Sequence, residues 1–153
     1  MNWEFVGTIA EVIGAVAVVA SVIYLAFQVR ENTRLSAEQT VASAIDAFND
    51  FDRLVASTPD LASIIIRGES SLSSLAPDER LRFDHLDSIE FGIYEGWHEK
   101  SQRIGIGQHH ETLMQTMFRE RISNASILEW WRENRDGYTP SFIDWVESKR
   151  DRS

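Results

Sequence analysis

The chain has no cysteine. Disulfides, thiolate nucleophiles and cysteine-ligated zinc are therefore excluded, and any metal site would have to be built from histidine and carboxylates. It has three prolines, and neither proline nor glycine between Ala15 and Thr58. No segment alternates polar and apolar residues for long enough to read as a strand. No Lys or Arg precedes Arg30. There is no glycine-rich phosphate loop, and no serine with a recognisable catalytic partner. Positive charge is scarce overall, with 15 Lys and Arg against 24 Asp and Glu. Phosphate neutralisation needs clustered cations, so a nucleic-acid partner is not expected. The acidic balance equally argues against the C-terminal part lying flat on anionic lipid.

What the chain does have is one long apolar run, FVGTIAEVIGAVAVVASVIYLAF, from Phe5 to Phe27, with Glu11 as its single charge. As a helix these residues rise roughly 34 Å, enough to cross the hydrocarbon core of a bilayer. A cleaved signal peptide fits less well, because Met1-Asn2-Trp3-Glu4 supplies no basic leader and the run exceeds a signal's apolar core. A buried core helix also fits less well, because the remaining residues, about 120, make a domain too small to wrap so long an all-round apolar rod. Residues 1–30 are thus expected to be a transmembrane anchor and residues 31–153 a cytoplasmic helical domain. Arg30 and Arg34 follow the run, so the N-terminus is expected outside and the domain in the cytoplasm. Trp3 and Tyr24 suit the two interfacial belts.

Within the run, Gly7, Ala10, Gly14, Ala17 and Ser21 recur at spacings of three and four. Small residues on one face let helix backbones approach closely, so this face is a candidate packing seam. Glu11 flanks it. A carboxylate in lipid is costly unless paired, neutralised or wet. Glu11 is then a polar contact, a pathway-lining or a proton-binding group; alternatively the span begins near Thr8 and Glu11 sits among the headgroups.

The rest of the sequence reads as helices. Pro59, Pro77 and Pro140 each fall where a first helical residue belongs, with Thr58, Ala76 and Thr139 before them. The expected helices are a continuation of the anchor to about Ser57, with Asn32-Thr33 its one plausible break; Leu61 to Arg67, stopped by Gly68; Pro77 to about Arg103; Gln108 to Ile122; Ala125 to Asn134, capped by Ser123-Asn124; and Pro140 to about Lys149. Glu69 to Leu75 is expected to be a loop and Gly105 to Gly107 a turn. The core is expected from Val41, Ala44, Phe48, Phe51 and Val55, with Ile45 alongside, then Phe83, Leu86, Ile89, Ile93 and Trp97, then Leu113, Met114, Met117 and Phe118, with Leu128, Trp130, Trp131, Phe142, Trp145 and Val146. The fold class is all-α.

The segments Gly7 to Ala17, with Glu11 and Gly14, and Tyr24-Leu25-Ala26-Phe27-Gln28-Val29-Arg30-Glu31-Asn32-Thr33 resemble the N-termini of a widespread group of small bacterial single-pass membrane proteins. These open with a G-E-I-I-G-A-type segment and leave the membrane through Y-L-A-x-Q-[IV]-R-x-N-T. The likeness extends through Asp46 to Pro59, Ala76 to Phe83 and Trp130 to Phe142. It implies an anchor with a helical domain and carries no activity with it. In the group the position of Ala76 is usually a capping serine, so the helix start there is expected to fray.

Few residues point to chemistry. Glu95 and His98 have the Glu-x-x-His spacing of carboxylate-bridged di-iron bundles, but a second such pair is missing. A mononuclear site with His109 or His110 is a weak alternative, and His98 reads better as a partly exposed helix residue. Asp84, Asp87 and Glu90 read as a solvated acidic ladder, and the tryptophans as core rather than as a ligand cage. No cofactor and no enzymatic activity are expected. The functional expectation is an assembly or accessory module, homo-oligomeric through the seam or docked on a larger membrane complex. A channel or transport protein with Glu11 near the pathway comes second, and a metal-binding helical enzyme third.

Overall fold

In a computed structural model, residues 3–104 and 108–150 are described here, the side chains of 3–6, 9, 10, 108 and 109 excepted. Six α-helices account for nearly all of them: α1 Trp3–Ser57, α2 Pro59–Ser70, α3 Pro77–Arg103, α4 Gln108–Ile122, α5 Ala125–Asn134 and α6 Pro140–Arg150. Short 3₁₀ turns occupy Leu72–Ser74 and Arg135–Gly137, and no strand occurs among the described residues. The chain is all-α. The expected turn at Gly105 to Gly107 lies outside the described residues.

The chain divides into two compact units, Met1–Ser36 and Ala37–Ser153. The apolar run ends at Phe27, but Glu31 to Leu35 are still exposed, so the packing boundary comes later than the boundary in composition. Helix α1 runs through Asn32 and Thr33 without a break. Thr33 Oγ1 donates to the Val29 carbonyl (2.9 Å), which keeps its hydroxyl within the helix.

All three prolines stand at the first position of a helix, where the missing N–H costs nothing. Thr58 makes no side-chain capping bond. Ala76, where fraying was expected, is secured from the other side: Glu79 Oε2 accepts from the Ala76 N–H (3.0 Å), half of a capping box. Arg67 of α2 then holds Glu79 through two bonds, of 2.8 and 2.6 Å. This guanidinium, helped by the Ala76 N–H, keeps the Glu79 carboxyl down at about 2. Asn124 caps α5 as expected, accepting from Ser126 N (2.8 Å) and Ile127 N (3.3 Å).

Gly68 does not stop α2. It is buried within the helix, against the face of Phe83. A Cβ there would overlap the Phe83 ring, and Phe83 is fully buried and has no room to withdraw. Gly68→Ala should therefore destabilise the domain by about 2 kcal/mol, the overpacking cost less the helix-propensity gain. Thermal unfolding of the full chain in mild detergent checks this; an unchanged or raised midpoint would refute the close contact.

The core of the second unit is aromatic. Phe91 is its hub, with Trp130 at 5.0 Å, Trp131 stacked at 5.3 Å, Phe118 at 5.7 Å and Tyr138 at 6.3 Å between ring centres. Phe48 of α1 meets Tyr94 of α3 edge-on at 5.2 Å, so the C-terminal part of α1 belongs to this core. The buried face of α3 differs from the expected one. It runs through Phe83, Leu86, Phe91, Tyr94 and Trp97, while Ile89 is exposed and Ile93 half-buried. On α4, Leu113 and Met117 are likewise exposed, and Met114, Phe118 and Ile122 fill the core. Ile127 of α5 is fully buried and Leu128 only partly so.

Candidate functional site

Two regions carry unusual physical features: the apolar half of α1, and a buried charge cluster in the helical domain.

In the first unit, every large apolar side chain from Val12 to Val29 is more than half exposed. This stretch of α1 is long and apolar enough to cross a membrane, and none of it is buried by the protein's own fold. The seam residues Gly7, Gly14, Ala17 and Ser21 are all exposed, and a Cβ placed on Gly7 or Gly14 would meet nothing within 4 Å. Ser21 Oγ donates to the Ala17 carbonyl (2.8 Å), so the seam offers a surface with no unsatisfied hydroxyl. The side chains of Ala10 and Trp3 lie outside the described residues. Glu11 is exposed on the same helix. Tyr24 is exposed and its hydroxyl accepts from Gln28 Nε2 (3.2 Å). Arg30 is exposed, and Arg34 pairs with Glu31 (Nε–Oε2 3.1 Å), so Arg30 carries the less compensated positive charge at this end.

Glu95 and His98 do share one face of α3, as their spacing requires, but that face is committed to α6. Glu95 Oε1 accepts from the Thr139 N–H (2.7 Å), and Glu99 Oε1 from the Thr139 hydroxyl (3.0 Å). His98 is buried rather than partly exposed, 2.9 Å from Ser141 Oγ through Nε2. Its ring packs against Trp145 at 5.3 Å and Phe142 at 6.0 Å. Burial holds its pKa below the ordinary histidine value. Ser141 thus has a histidine neighbour that sequence spacing did not reveal. Among the described residues the Nδ1 atom of His98 has no hydrogen-bond partner. Together these residues fasten α3 to the start of α6. Among the described residues no three His, Asp or Glu side chains are placed to share a metal ion. His109 lies outside the described side chains, and His110 is exposed.

The acidic ladder of α3 is only partly solvated. Asp84 pairs with Arg80 (2.7 Å), which also holds Glu133 of α5 (2.5 Å). Asp87 and Glu90 turn inward onto Arg121 of α4, joined there by Glu69 of α2. Asp87 Oδ1 and Glu69 Oε1 accept from the two terminal nitrogens of Arg121. Glu90 Oε2 lies 2.8 Å from Arg121 Nε, near enough for an ion pair but out of line for a hydrogen bond. The Asp87 side chain is 1% exposed, and among the described residues its Oδ2 has no hydrogen-bond partner. One guanidinium therefore serves three carboxylates drawn from two helices. A signal for this was present in the sequence: Phe83, Asp87, Phe91, Tyr94 and His98 follow one another at spacings of four, four, three and four, so Asp87 and His98 fall within the core stripe.

A cleft of about 260 Å³ also lies between α1 and α3 in the second unit, lined by Thr40, Ala44, Gly92, Gly96, Trp97 and Lys100 among others. A Cβ placed on Gly92 or Gly96 would meet nothing within 4 Å, so the cleft is open at both positions. Trp130 and Trp131 are fully buried, and Trp131 Nε1 donates to Glu147 (3.3 Å). Trp97, Trp130 and Trp131 are core, and Trp145 packs partly buried against them.

Comparison with known proteins adds no name to these features. No protein-family model, curated protein or solved structure matches the chain.

Proposed function

We propose that this protein is a single-pass membrane protein, anchored by the first half of α1, whose helical domain serves as an assembly or accessory module on the cytoplasmic face. One observation carries the reading: the large apolar side chains from Val12 to Val29 find no cover within the chain. Eleven such side chains are at stake (Tyr24 included). At about 2 kcal/mol each, leaving them in water forfeits roughly 20 kcal/mol, more than the whole stability of an ordinary domain. Lipid supplies that cover directly. The resemblance of Gly7 to Thr33 to bacterial single-pass proteins supports the same reading, as does Arg30 following an apolar run with no preceding cation.

In lipid, apolar surface no longer drives helices together, and close backbone contact must do so. The Gly7, Gly14, Ala17 and Ser21 face is suited to that, and it joins the anchor to a second copy or to another membrane protein. Gly14→Leu removes the close approach at its centre. Crosslinking in native membranes, followed by mild-detergent purification and mass spectrometry, should show the assembled species reduced by about ten-fold in this variant, for a contact worth 1–2 kcal/mol. A strictly monomeric native chain with no co-purifying subunit, or assembly untouched by Gly14→Leu, would remove the assembly role.

A further inference from the structure

Arg121 is surrounded by more negative charge than it can neutralise. With Asp87, Glu90 and Glu69 all ionised, the four groups carry two net negative charges in a largely enclosed site. The neighbouring charges do not redress this. Asp52 of α1 adds its negative field at Glu90, and Glu120 of α4 adds one at Tyr94. On α5, Glu133 is taken up by Arg80. Tyr138, beyond α5, is a neutral phenol that feels the Asp87 charge. Like charges sharing a dry site cannot all ionise, so a proton is retained.

Exposure decides where that proton rests. The Glu69 side chain is 36% exposed and water can solvate its charge, whereas Asp87 is 1% exposed and its Oδ2 is unpartnered. We propose that the Arg121 cluster is a one-proton switch: the proton sits on Asp87 Oδ2, and its loss releases Glu69, and with it the C-terminal turn of α2, from α4. Glu69 is the member that leaves because it is the only one already reaching solvent to that extent, and because it sits in the last turn of α2, next to the short Leu72–Ser74 turn. Asp87 and Glu90 are held in mid-helix on α3 and cannot withdraw without unwinding it. The inference is independent of whether α1 crosses a membrane.

The direction of the pH dependence follows. Burial, reinforced by Glu90 and Glu69 against the opposing Arg121, lifts the Asp87 carboxyl to about 7. Glu90 is raised as well, again by burial. A carboxyl raised above its unfolded value stabilises the fold at low pH and loses that contribution as pH climbs through the folded value. The α2–α4 tie is thus closed in mildly acidic conditions and loosens on the alkaline side of neutrality.

The test is hydrogen exchange of residues 66–75 in the full chain in mild detergent, read at about pH 6 and about pH 8.5 and corrected for intrinsic rates. One pKa unit of displaced proton is a factor of ten, so protection should fall by about ten-fold at the higher pH. Asp87→Asn, which keeps a neutral side chain of the same shape, should abolish the difference. Glu69→Gln, at the accessible end, removes a negative charge from Asp87 and should move the midpoint to lower pH. Protection independent of pH in the native chain would overturn the switch, as would an Asp87→Asn profile like the native one. If Asp87→Asn does not fold, Glu69→Gln decides, and an unmoved midpoint overturns the proposal.

Discussion

Val16→Arg combined with Val19→Arg should take the protein out of the membrane fraction. The twelve Leu, Ile, Val and Phe side chains between Phe5 and Phe27 contribute roughly 0.3–0.6 kcal/mol each to insertion, about 5 kcal/mol together. Glu11 subtracts from that sum. Each arginine near the middle of the span costs about 3 kcal/mol, so the pair alone reverses the balance. At 1.4 kcal/mol per decade the partition changes by roughly four orders of magnitude. Fractionation of cells expressing the native chain and the double variant at matched levels measures it. The helical domain should be unaffected, because residues 12–29 lie in the first unit and its core is built from Ala37 onward. Equal partitioning of the two chains would contradict a lipid-facing role for Val16 and Val19.

The second large effect is expected at the aromatic hub. Phe91→Ala removes a fully buried ring that touches Phe118, Trp130, Trp131 and Tyr138. Truncating a buried phenylalanine costs about 3–5 kcal/mol, through lost transfer energy and the cavity left behind. For a unit of this size that lowers the unfolding midpoint by roughly 15 °C. Ile89→Ala, two residues earlier and exposed, should change it by less than about 0.5 kcal/mol. Circular-dichroism melts of both variants beside the native chain make the comparison. Similar losses in the two would mean that α3 presents a different face to the core.

That contrast shows where the sequence was informative and where it was not. Helix positions were legible because their punctuation is local: proline at a first turn, Asn124 as a cap, and no breaker between Ala15 and Thr58. Which face of α3 is buried was not. Ile89 and Ile93 are the more obvious hydrophobes, but the buried stripe passes through Phe91 and through two polar residues, Asp87 and His98. Their burial is tolerated only because Arg121, from 34 positions away, and Ser141, from 43 away, come to meet them. Long-range pairing of that kind leaves no mark on local periodicity. Gly68 misled for a similar reason: its lack of a side chain makes room for Phe83, an event of packing rather than of helix termination. The seam on α1 is different again. Its residues are plain in the sequence, and Gly7, Gly14, Ala17 and Ser21 lie open on the helix.

The membrane crossing itself is open to one direct measurement, made simpler by the absence of cysteine. Asn2→Cys and the exposed Ser148→Cys, introduced singly, place one reactive thiol on either side of the apolar run. Intact cells treated with a membrane-impermeant maleimide should label the first variant from outside and the second only after permeabilisation. Labelling of both sites only after lysis, with the chain recovered in the aqueous fraction, would contradict the anchor.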